Sequence, residues 1–353
     1  MTAERVEAPA PSKLAADRRI DPRIKQLFGA FPPSPKLGDA GSREALLAEQ
    51  VGPGAAERAA AQKAFMDMVD TEEVAPSAGL SISTETFRST PDGNEIKVLV
   101  MRPEGGGARP GVVYLHGGGM ASMSAFDGMY RAWGRLIAGQ GVAVAMVDFR
   151  NCLTASSAPQ VAPFPAGLND CVSGIKWVCG EAGRLGIDEK RIIVAGESGG
   201  GNLTLASALK LKWEGELSLV SGLYALCPYI AGTWPQERYP SSEENNGILL
   251  DLHNNRGAMG YGIEALEGKD PLAWPAFATR EDVTGFPRTM ISVNECDPLR
   301  DEGIEFYRLL LKAGVPARCR QAMGTIHGTE IFAICCPDIS REAARSIADF
   351  TRG

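Results

Sequence analysis

A chain of 353 residues, 44% hydrophobic and 22% charged, has the make-up of an ordinary globular protein with a sizeable core. Its net charge of -7 argues against nucleic acid or an anionic membrane surface as a partner, because both require basic patches. No apolar run approaches the roughly 20 residues of a membrane helix, and the opening MTAERVEAPAPSKLAADRR lacks the apolar segment of a secretory signal.

In chain order, residues 1–80 are rich in Ala, Pro and charge. DPRIKQLFGAF and AAERAAAQKAFMDMVD carry helical spacing of apolar residues, separated by FPPSPKLGDAGS and GPG. This predicts a helical N-terminal arm that packs on a later domain. Near Leu80 the pattern turns to alternation: SISTETFRS and EIKVLVMRP, joined by Pro91-Asp92-Gly93-Asn94, predict a strand–turn–strand unit.

Strands and helices then alternate. GVVYLH, VAVAMVDF, RIIVAG and LVSGLYAL read as strands, with helices predicted near 127–139, 166–184 and 199–213. The strands are nearly continuous apolar runs, so both their faces are covered. Together with the intervening helices they predict an α/β fold: a mostly parallel sheet with helices on both faces. Residues 229–285, with Trp234, Pro235, Pro240, Trp274 and Pro275, lack a strong strand and read as an insertion above the sheet. The alternation resumes with TMISVNE, a helix near 300–313, ARCRQAM and a last helix near 338–351.

Eight cysteines (Cys152, Cys171, Cys179, Cys227, Cys296, Cys319, Cys335 and Cys336) show no CxxC pair and no zinc-type spacing. They read as reduced thiols that pack as small hydrophobes, which suits a cytoplasmic protein.

Gly196-Glu197-Ser198-Gly199-Gly200 fits G-x-S-x-G between a buried strand and a helix. A serine at that sharp turn is pushed out above the sheet as a nucleophile. The trailing Gly201 also suits a phosphate loop, but the absence of a following Gly-Lys-Ser/Thr argues against it. A serine needs a base, and the base needs an orienting carboxylate. The chain has three histidines, His116, His253 and His327. In this strand–elbow–helix arrangement the order is serine, acid, histidine. His116 precedes the serine and His253 lies in the insertion, so His327 is the expected base. His253 is expected to be exposed or to cap a helix.

The acid should follow the penultimate strand, where TMISVNECDPLRDEG offers Glu295, Asp297, Asp301 and Glu302. Asp301 and Glu302 fall in the first turn of the next helix, where carboxylates serve the helix dipole. Asp297, in the loop before Pro298, is the choice and Glu295 the reserve. The run His116-Gly117-Gly118-Gly119 follows a buried strand. Its bare amides suit an oxyanion hole, with the Gly199 amide as the other wall. Among the loop glycines, Gly118 and Gly119 are favoured. His116 is expected to fix the loop by hydrogen bonding.

HGGGM, VDFRN, GESGGGN, DPLRDEG and the closing HG resemble the hormone-sensitive-lipase-like (family IV) carboxylesterases of the α/β-hydrolase superfamily. The resemblance runs from about residue 80 onward. It implies an α/β-hydrolase fold with an eight-stranded sheet, and a catalytic serine, acid and histidine at Ser198, Asp297 and His327. It also implies a cap built from the arm, 1–80, and the insertion, 229–285, over core segments 81–228 and 286–353. Glu197-Ser198-Gly199 stands where many members have Asp-Ser-Ala or Thr-Ser-Ala, and Met120 stands where an aromatic often follows the glycines.

The expected activity is hydrolysis of short-chain carboxylic esters through an acyl-enzyme on Ser198, with no cofactor and no metal. Lactone opening or amide hydrolysis by the same triad is the alternative. A non-catalytic receptor on this fold would lack the histidine at 327. Met66, Met68, Met120, Met123, Trp234 and Trp274 could line the pocket, although packing is the expectation for each. A small-molecule ester is the expected partner, and a homodimer is compatible with the family.

Overall fold

The computed structural model describes residues 12–29 and 36–353. The start of the arm (residues 1–11) and residues 30–35, which include the Phe-Pro-Pro-Ser-Pro separator, lie outside the described residues. The strands are β1 (Leu80–Arg88), β2 (Glu95–Pro103), β3 (Arg109–Leu115), β4 (Ala143–Val147), β5 (Ile187–Glu197), β6 (Gly222–Leu226), β7 (Arg288–Asn294) and β8 (Ala317–Ala322). They form one eight-stranded sheet in the order β1-β2-β4-β3-β5-β6-β7-β8. β1 and β2 pair antiparallel, as do β2 and β4, and every pair from β4 to β8 is parallel.

The helices that matter for the site are α1 (Pro22–Phe28), α2 (Arg43–Val51), α3 (Ala55–Asp67), α4 (Gly128–Ala138), α5 (Ala166–Gly180), α6 (Gly199–Trp213), α7 (Arg300–Lys312) and α8 (Pro337–Phe350). The helix predicted over 166–184 breaks at Glu181 into α5 and a single turn, Ala182–Leu185. Gly186 stops that turn in the left-handed region (φ 69°).

The apolar strand runs have the predicted meaning. Val113, Leu115 and Val194 pack to one side with α5, α6 and α7. Their neighbours Val112, Tyr114 and Ile193 pack to the other side with α4 and α8. A strand covered on both faces has no room for a polar alternation.

The insertion holds three short helices, Ser241–Glu244, Arg256–Tyr261 and Ile263–Glu267. The arm reaches it at several points. Arg19 binds Glu244 and Asn245, Asn255 exchanges hydrogen bonds with the Ala40 backbone, and Arg256 pairs with Glu49 on α2. Trp234 and Trp274 are buried and flank Tyr229, stacked at 4.7 Å and edge-on at 5.8 Å. Met66 and Met120 are buried as well, and Met123 is half-buried. Met68 departs from the packing expectation, with 45% of its surface exposed. It follows the end of α3, beyond the turn that buries Met66. All eight cysteines are free thiols. No helix among the described residues is long and apolar enough to cross a membrane.

Candidate active site

The parallel strands end along one edge of the sheet, the edge where open α/β sheets place their ligands. Six connections leave from that edge, after β3, β4, β5, β6, β7 and β8. Every sequence-predicted site residue lies on four of them.

Ser198 follows β5 with φ 57° and ψ -118°, a conformation that side chains rarely adopt. Three backbone hydrogen bonds hold it: its N–H donates to Leu226 O, and its carbonyl accepts from Asn202 and Tyr229. The flanking glycines are required by contact. A Cβ on Gly200 would sit 1.9 Å from Leu115 O, and one on Gly196 would sit 2.4 Å from Gly200 O. The turn thus forces the serine hydroxyl out above the sheet.

His327 follows β8, 129 residues further on. Its Nε2 lies 2.9 Å from Ser198 Oγ and its Nδ1 lies 2.8 Å from Asp297 Oδ2. Asp297 is fully buried after β7, and its Oδ1 accepts from Leu299 N–H, which fixes the carboxylate. Glu295, the reserve, turns elsewhere and accepts from Gly324 N–H at 2.7 Å. Burial works against a charged His327, but the Asp297 carboxylate outweighs it and holds the imidazole well above its usual range.

The glycine loop packs against the elbow. A Cβ on Gly199 would lie 2.6 Å from Met120 N and 2.8 Å from Gly119 N. That contact leaves no room for a side chain at position 199 unless the loop shifts. Gly118 (φ 89°) and Gly119 (φ 62°) lie in the left-handed region. Their N–H groups and that of Gly199 have no acceptor among the described residues. Gly117 is a correction to the expected oxyanion set: its N–H donates to Tyr130 Oη at 2.9 Å and is already spent. His116 is neutral in character, its basicity lowered chiefly by burial. Its Nδ1–H donates to Gly117 O, and its ring stacks on Phe149 at 4.1 Å, as a loop-fixing residue should. His253 is exposed and donates to Ser242 O.

Three residues escaped sequence reasoning. Cys227, just past β6 with φ 33°, places its thiol against His327 and Asp297. Burial pushes that thiol up to about 11, so it stays protonated. Cys227, Asp297 and His327 form the one metal-type cluster among the described residues. Both imidazole nitrogens are already committed to Asp297 and Ser198, which leaves neither free to ligate a metal. Glu302 is the second. It does not serve the α7 dipole as expected, because its carboxylate accepts from Ile230 N–H, Ala231 N–H and Trp234 Nε1–H. Glu197 is the third. It is buried beneath the glycine loop, and burial pushes its carboxyl up to about 7. Only the spacing of Glu197 beside the serine was visible in the sequence. The partners of all three come from distant segments.

A serine–imidazole–carboxylate relay facing free backbone amides, on the strand ends of this sheet, defines a hydrolase of the nucleophile-elbow class. The chain matches the alpha/beta hydrolase fold family over residues 112–331, more than half its length, and belongs to that family. Among solved structures it is similar to esterase Est22, at 63% identity and a TM-score of 0.95, covering 97% of this chain and 99% of that one. Est22 has also been solved with p-nitrophenol. Bacterial brefeldin A esterase, a homologue of human hormone-sensitive lipase, is 34% identical with a TM-score of 0.83, covering 96% of this chain and 94% of the other. Carboxylesterase NlhH of Mycobacterium tuberculosis is 31% identical over 248 residues, 69% of this chain and 73% of the relative.

Proposed function

We infer that the protein is a serine carboxylesterase that acts on small-molecule esters through an acyl-enzyme on Ser198. The observation that carries this is the unbroken run from Asp297 Oδ2 through His327 to Ser198 Oγ, at 2.8 and 2.9 Å. The relatives' names as esterases support the ester class.

His327 takes the Ser198 proton as Oγ attacks the ester carbonyl. The negative charge passes to the carbonyl oxygen, where the Gly118, Gly119 and Gly199 amides receive it. Each such donor is worth about 3 kcal/mol of barrier. The imidazolium, stabilised by Asp297, returns the proton to the departing alcohol. Water then enters, gives its proton to His327 and releases the acid from Ser198. His327 passes the water-derived proton back to Ser198 Oγ as the acid leaves, so one proton departs with the alcohol, one is replaced from water, and these residues complete the cycle without a cofactor.

The arm and the insertion, tied together through Arg19, Asn255 and Arg256, form the cap in this reading. A capped site favours short acyl chains. The imidazole within reach of Ser198 argues against a non-catalytic receptor. The reading also includes a cytoplasmic location and admits a homodimer, which fractionation and light scattering test.

A series of 4-nitrophenyl esters of increasing acyl length, run on the wild type and on Ser198→Ala, tests the function. Turnover should be highest for the shortest acyl groups and lost in the variant. Undiminished turnover by Ser198→Ala overturns the assignment. Pairing one ester with the matching anilide separates esterase from amidase activity.

A further inference from the structure

Glu197 sits immediately before the nucleophile, yet the ester chemistry leaves it unused. Its carboxylate is 2% exposed, and among the described residues no cationic side chain pairs with it. Its partners are two tyrosine hydroxyls. Tyr114 Oη donates to Oε2 at 2.6 Å and Tyr130 Oη donates to Oε1 at 2.5 Å. Tyr130 has one hydroxyl proton, which Glu197 takes, so its oxygen is free to accept the Gly117 N–H at 2.9 Å. The carboxylate lies so close beneath the loop that a Cβ on Gly117 would be 2.3 Å from Oε1.

A buried carboxylate without a cation costs stability, and an apolar residue of similar size would pack at lower cost. Here the acid gathers the two ends of one segment. Tyr114 lies on β3, which leads into the glycine loop, and Tyr130 lies on α4, which follows it. Between them the loop carries three glycines in a row, whose backbone is soft unless something holds it. Oxyanion stabilisation depends on donors that are already in place before charge develops.

We propose that Glu197 is a positioning residue for ester hydrolysis, acting through Tyr130 to anchor the Gly117 amide and thereby hold the Gly118 and Gly119 N–H groups at the oxyanion. This rests on the Ser198 reading above. The chain runs from carboxylate to hydroxyl to amide, and only its last link touches the catalytic loop. Loss of any link loosens the donors without removing them. The effect therefore falls on the transition state and leaves ester binding nearly intact.

The test compares wild type, Tyr130→Phe, Glu197→Gln and the double variant. The readouts are kcat and KM on 4-nitrophenyl butyrate, and the inhibition constant of a trifluoromethyl ketone, whose adduct with a serine carries an oxyanion. Each single variant should lose about tenfold or more in kcat with KM changed less than about twofold, and its ketone inhibition constant should rise in step. The double variant should be no worse than the worse single, because both break the same chain. Kcat and ketone inhibition constant within about twofold of wild type in folded variants, or a loss confined to KM, overturns the proposal. If Glu197→Gln does not fold, Tyr130→Phe decides alone. Failure of the Ser198 reading looks different: the ketone would not inhibit the wild type, and Ser198→Ala would retain turnover.

Discussion

Glu302 on α7 holds Trp234 of the insertion through a 2.6 Å hydrogen bond from the indole Nε1–H. The other carboxylate oxygen accepts from the Ile230 and Ala231 amides, at 2.7 and 3.1 Å. One side chain thus ties the insertion to the helix that starts three residues after Asp297. Glu302→Ala strands three buried donors and should cost about 3 kcal/mol or more. Trp234→Phe removes one donor and keeps an aromatic ring on Tyr229, so its loss should be smaller. Urea denaturation of both variants and of the pair checks this. The two changes should be non-additive, because they share a bond.

The contact between loop and elbow makes a sharp contrast between two glycines. Gly199→Ala drives a Cβ into Met120 N and Gly119 N, so it should displace the oxyanion loop and lower kcat by roughly 10- to 100-fold. Gly119→Ala meets nothing within 4 Å and suffers only the strain of φ 62°, about 1–2 kcal/mol. Steady-state kinetics with melting temperatures should show Gly199→Ala losing mainly activity and Gly119→Ala losing mainly stability. Equal kinetic losses would mean that the loop and elbow do not press on each other in solution.

Activity and stability should respond to pH in opposite directions. A protonated His327 cannot accept the serine proton, and Asp297 holds the imidazole well above its usual value of 6.5. The acid limb of kcat/KM should therefore lie above pH 6.5, with activity still rising through neutrality. Burial raises Glu197 to about 7 and Glu302 to about 8, from 4.5. As pH climbs past 4.5 the unfolded chain releases these protons while the folded chain keeps them, so stability falls over that window. His327 acts with the same sign, since its stabilising contribution is lost as pH rises through its raised folded value. Asp17 and Asp21, lowered by hydrogen bonds from Arg19 and Arg23, lose theirs only on the acid side, below about pH 4. Melting temperature should thus peak near pH 5 and fall toward pH 8, while kcat/KM rises over the same range.

The sheet and the relay were legible because their signals are local or ordered along the chain. Short β-branched apolar runs such as Val112–Leu115, alternating with helical patterns, read as two-sided strands, and three histidines left His327 alone in the right place. The Gly117 assignment failed for the opposite reason. Whether an amide is free depends on Tyr130, 13 residues away on another element. Glu302 misled through a sound local rule: the first turn of a helix favours acids, but Ile230, Ala231 and Trp234 arrive from 68 to 72 residues away and claim the carboxylate. Cys227 looked like any buried thiol. Nothing in its neighbours along the chain marks the end of β6 as the wall behind His327.

The most direct measurement is covalent capture. A fluorophosphonate ester reacts with a serine only where a base has activated its oxygen. The wild type should take up one phosphonyl group, with digestion and mass spectrometry placing it on Ser198, and Ser198→Ala and His327→Ala should take up none. A phosphonyl group on another residue, or uptake that survives the loss of His327, would contradict the relay.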